Sequence, residues 1–75
     1  MSPNDIARVQ TYLRRLFKND TISIQKPRKP NQPVEVTVGG EFVGVLHRDD
    51  DEGDISWSLT ITVLEMDLPP AGAVR

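Results

Sequence analysis

The chain has 75 residues, no cysteine and a formal net charge of −2 at pH 7. That length gives one domain near the lower limit for independent folding, and the absence of thiols excludes disulfide staples and thiolate metal sites. No stretch approaches the ~20 apolar residues of a membrane span and no N-terminal run has the form of a secretory leader, so a cytoplasmic protein with no membrane contact is expected.

The net charge hides an asymmetry. Residues 1–48 hold eight Lys/Arg and four Asp/Glu, whereas residues 49–75 hold one Arg and seven Asp/Glu. Such a split either marks a surface for nucleic acid or an acidic partner, or spreads charge for solubility.

Ser2-Pro3-Asn4-Asp5 predicts a helix start: Ser2 as the cap, Pro3 in the first turn, Asp5 completing a Ser-x-x-Asp pattern. Ile6, Val9, Leu13, Leu16 and Phe17 recur at helical spacing with Tyr12 on their flank. Arg8, Arg14, Arg15 and Lys18 fall on the other side, and the late cations complement the negative end of the helix dipole. Asn19-Asp20 ends the helix.

Four strands follow. Residues 21–25 alternate, then a basic loop at 26–33 carries three prolines that cannot donate ladder bonds. Residues 34–38 alternate again, and Gly39-Gly40 suits a tight type I′ hairpin, which needs φ > 0 at both turn positions. Residues 41–47 return. Residues 55–63 place an apolar side chain at every odd position and a small hydroxyl at every even one, the pattern of a half-buried strand. The fold class is therefore α+β: an N-terminal amphipathic helix packed on one face of a four-stranded antiparallel meander. Residues 1–68 form one domain and 69–75 a flexible tail.

Registering the hairpin without irregularity pairs Val36 with Val43 and Val34 with Val45 on the helix side. Phe42 and Leu46 then share the uncovered face with Thr37 and Thr60. These four residues are the candidate protein contacts. A one-residue bulge would turn Phe42 inward.

The segment Asp49-Asp50-Asp51-Glu52-Gly53-Asp54 invites a metal reading. Counted from Asp49, its glycine falls at position five and no glutamate closes the loop at position twelve, so the EF-hand pattern fails. A solvated turn with Gly53 at φ > 0 is the plainer reading; weak cation binding by Asp49, Asp51 and Asp54 stays open. His47, the lone histidine, lies near Asp54 and Ser56, yet no nucleophile elbow or phosphate-binding glycine loop accompanies it. No enzyme, cofactor or small-molecule ligand is expected.

The pattern Ile-Ala-Arg-Val-Gln-x-Tyr-Leu-Arg-Arg at 6–15, Glu41-Phe42-Val43-Gly44-Val45-Leu46 and the acidic Gly-Asp-x-Ser turn at 53–56 give the chain a family likeness. It resembles the alphaproteobacterial small domain-of-unknown-function family 3126 from about Asp5 to Leu68. The resemblance implies a bacterial cytoplasmic protein and carries no activity to transfer. The reading is a non-enzymatic interaction protein, a homodimer or an accessory subunit of a larger assembly. The alternative is an RNA- or ribosome-associated factor using Arg8, Arg14, Arg15, Lys18, Lys26, Arg28 and Lys29.

Overall fold

The computed structural model describes residues 2–27, 32–50 and 53–73. Helix α1 spans Pro3–Phe17. The Asp5 N–H donates to Ser2 Oγ at 3.1 Å, so the cap forms as its sequence predicts. Lys18 closes the helix in the left-handed region at φ 52°, and its N–H turns back to the carbonyl oxygens of Arg14 and Arg15.

The strands are β1 (Ile22–Ile24), β2 (Val34–Val38), β3 (Glu41–Asp49) and β4 (Ser56–Ile61). They form one antiparallel sheet in the order β1-β2-β3-β4, the α+β meander read from the sequence. Gly39 and Gly40 sit at φ 60° and 84°, as the hairpin requires. β4 stops at Ile61 rather than Val63.

The hairpin register departs from the regular one. Val38 faces Glu41 and Thr37 faces Phe42, but Val36 faces Gly44 and Val34 faces Leu46. Val43 is the extra residue of a bulge, and the bulge reverses which side chains point to the helix. Leu46 is therefore not on the open face: it is 1% exposed, in the core with Val34 and Val36. Val45 takes its place opposite Glu35.

The bulge brings two backbones together. A Cβ on Gly44 would run into the Thr60 carbonyl of β4, so only glycine lets β3 and β4 pair at this point.

The core is small: Ile6 and Leu13 from the helix meet Ile22, Ile24, Val34, Val36 and Leu46 from the sheet. Val9, Val38, Val43, Trp57 and Leu59 are packed against it and only partly buried. Tyr12, Leu16 and Phe17, placed on or beside the apolar stripe by their spacing, remain more than half exposed.

Gly44→Ala should force β4 away from β3. A loss of ~1–3 kcal/mol in urea unfolding is expected, with hydrogen exchange fastest in β4. Unchanged stability would show that the strands have room there. Lys18→Gly should raise the melting temperature, because glycine adopts φ 52° without the ~1 kcal/mol penalty of a side chain.

Candidate functional site

The two edges of the sheet are treated differently. Gln25 donates to Glu35 O at 2.8 Å and Gly39 to Thr21 O at 3.2 Å, so the odd residues of this segment bond toward β2. The backbone groups of Ile22 and Ile24 point outward, where the helix meets them. Ile24 N–H donates to Gln10 Oε1 at 2.9 Å. Arg14 Nε donates to the Ile22 carbonyl oxygen at 2.7 Å. Gln10 and Arg14 are one helical turn apart, so one flank of α1 bonds two of the outward backbone groups of the β1 edge, the Ile24 N–H and the Ile22 carbonyl oxygen.

Among the described residues, none covers the β4 edge in this way. Thr62 N–H donates to Val43 O, so the even residues of this segment bond toward β3 and Trp57, Leu59 and Ile61 turn their N–H and C=O groups outward. Residues 55–64 contain no charge and no proline. Natural edge strands ordinarily carry such guards, because a bare edge templates pairing with another chain.

The side chains of the same strand border an apolar trough. Near Trp57 a hollow of about 350 Å³ is lined by Val9, Tyr12, Leu13, Leu46, Trp57 and Leu59, with Arg8 at its rim. A second hollow, about 340 Å³, continues past Leu13 and Leu59 to Phe17, Val43 and Ile61. The trough exists because α1 lies close only to β1 among the strands. Trp57 Nε1 is covered without an acceptor, the one such side-chain polar atom found among the described residues. A donor left in this state costs ~1–3 kcal/mol.

The open face matches its sequence reading only in part. Thr37 and Phe42 lie directly opposite each other, and Thr60 lies across from Val45. Phe42 is 58% exposed. With Leu46 turned inward, its apolar company on this face is reduced to Val45, among Ser23, Glu35, Ser58 and Thr60. The larger apolar surface is on the helix side, where Tyr12, Trp57, Leu59 and Ile61, expected beneath the helix, border the trough because α1 lies close only to β1. The signal available was the uncharged run at 55–64.

The cations are not one surface. Arg14 is held on the β1 edge, and Arg8 lies 3.5 Å from Asp5. Arg15 and Lys18 are exposed on the helix. Lys26 borders a separate depression with Pro3, Ile6 and Gln10. Arg28 and Lys29 lie outside the described residues.

In the acidic loop, Gly53 has φ 83°, the turn geometry read from sequence. Arg48 Nη1 stands 3.4 Å from Asp50 Oδ2. Asp51 lies outside the described residues, and among those described no cluster of metal-ligating side chains is present. His47 lies across from Ser58 at an exposed position.

Among the described residues, no helix is long and apolar enough to cross a membrane. The fold and its trough define a small α+β protein with a half-covered sheet. The chain belongs to the DUF3126 family of proteins of unknown function, whose pattern matches residues 5–67. No curated protein and no solved structure matches it.

Arg14→Ala should leave the Ile22 carbonyl oxygen without its partner. The expected cost is ~1–2 kcal/mol in chemical denaturation, with faster amide exchange at Ile24 as α1 loosens. An unchanged midpoint and unchanged exchange would mean that the edge is sealed by apolar packing alone.

Proposed function

We propose that this chain is a non-enzymatic interaction protein, working as a homodimer or as an accessory subunit of a larger bacterial assembly. The observation that carries the reading is the trough between α1 and β4, open along an uncharged strand edge. A protein partner would add a strand through main-chain hydrogen bonds and set apolar side chains into the trough. The face supplies both elements of such recognition: outward backbone groups for affinity, and Tyr12, Trp57 and Ile61 for side-chain contact.

RNA binding draws less support, because Arg14 is committed to Ile22 and the remaining described cations are dispersed. Phosphate contacts would also carry a steep salt dependence.

The test is a photo-crosslinking amino acid placed at Tyr12, which is exposed beside the trough. In intact cells it should capture protein, and Ile61→Lys should reduce the yield several-fold by charging the edge. Phe42→Asp on the opposite face should leave the yield unchanged. Capture of RNA alone, or a yield indifferent to Ile61→Lys, would overturn the reading.

A further inference from the structure

The occupant of the trough is identifiable from the chain itself. Every described residue from Thr60 to Gly72 is exposed, including Val63, Leu64, Met66 and Leu68, and Met66 is 85% exposed. The radius of gyration is 14.4 Å, against about 11 Å for a compact chain of this length. The accessible surface is 6247 Å², whereas a folded monomer of 8.4 kDa exposes about 4,600 Å². The excess is roughly 1,600 Å² per chain, and an obligate homodimer interface takes on the order of 1,000–2,500 Å² from each partner.

We infer that two copies pair β4 against β4 about a two-fold axis at Leu59, and that the segment 62–68 of each copy lies in the other's trough. This rests on the docking face proposed above and names its occupant. Strand parity selects the register. The outward backbone groups belong to Trp57, Leu59 and Ile61, so parity allows only odd-to-odd pairs, and the register that uses all three sets Leu59 against its own counterpart and Trp57 against Ile61 of the second copy. The two helix faces then lie on the same side of one continuous eight-stranded sheet, twice the four strands of one copy.

The same register delivers the tail. Ile61 ends beside Trp57 of the second copy, at the mouth of the hollow lined by Val9, Tyr12 and Leu13. Val63, Leu64, Met66 and Leu68 supply apolar groups for it. The tail carries Glu65 and Asp67; Arg8 rims the hollow and Arg48 stands across from Trp57, each beside an acid of its own chain, Asp5 and Asp50. Two short strand edges alone make a small interface. The tails bring it to the size that a stable dimer needs.

The chain has no cysteine, which permits a clean register test. In the inferred pairing Ser58 lies directly across from Thr60 of the second copy, both exposed on the open face away from the core. Full-length Ser58→Cys and Thr60→Cys proteins, mixed and oxidised, should form a covalent heterodimer, because directly opposed positions fall within disulfide range. Each variant alone should bridge far less. By sedimentation the unmodified chain should be a dimer, and Leu64→Asp with Met66→Asp should weaken it roughly a hundredfold without changing the circular dichroism.

A monomeric native chain overturns the inference. So does a dimer in which the mixed cysteine variants bridge no better than either alone, or one indifferent to the tail substitutions. If the Tyr12 probe captures a different protein while the chain is monomeric, the self-pairing fails and the interaction reading stands. If it captures no protein, both fail.

Discussion

One helix is too narrow to cover four strands, and the rest of this molecule follows from where that helix sits. Strands lie about 4.8 Å apart and a helix with its side chains is about 10 Å across, so α1 shields roughly two strands. Gln10 and Arg14 decide which two, by bonding to the outward backbone of Ile24 and Ile22. Placed there, α1 builds the core from Ile6 and Leu13 against β1, β2 and Leu46. It leaves Tyr12, Leu16 and Phe17 more than half exposed and the face of β4 half clothed. The trough is thus what remains after the β1 edge has been closed.

The elements and their order were legible because their signals are local. Ser2 and Pro3 start the helix, two glycines close the hairpin, and alternation marks the strands. The close approach at Gly44 was not legible, because it is tertiary. Gly44 is required by the Thr60 carbonyl on another strand, and nothing within residues 41–47 measures that distance. A glycine inside a strand does announce a bulge or a close approach. With that taken as a break in parity, Leu46 moves to the core, as observed. Phe42 keeps its outward position because it precedes the extra residue.

The site divides along the same line. The uncharged run from Ile55 to Leu64 was visible, but its meaning depends on which edge the helix closes. Arg14 shows the complementary limit. Helical spacing assigns it to the cationic side, and its charge reads as a phosphate contact. Its role in the fold is a hydrogen bond to Ile22, set by the position of β1 rather than by anything within the helix. Thr37, Phe42 and Thr60 do share a face, as read, yet the larger apolar surface is on the other side of the sheet.

The asymmetry of the edges also bears on why pairing would stop at two copies. A sheet bare on both edges can add strands without end, which is the route to fibres. Here Gln10 and Arg14 tie the β1 edge to the helix, so β4 is the more open edge of each copy. An interface made by one edge meeting its own counterpart is closed by symmetry. The acids at 49–54 and at Glu65 and Asp67 bracket the uncharged run on both sides. They leave the central odd residues free. The guards that a lone edge strand would carry on itself are displaced to its flanks. That placement leaves the outward backbone groups of Trp57, Leu59 and Ile61 unguarded by charge.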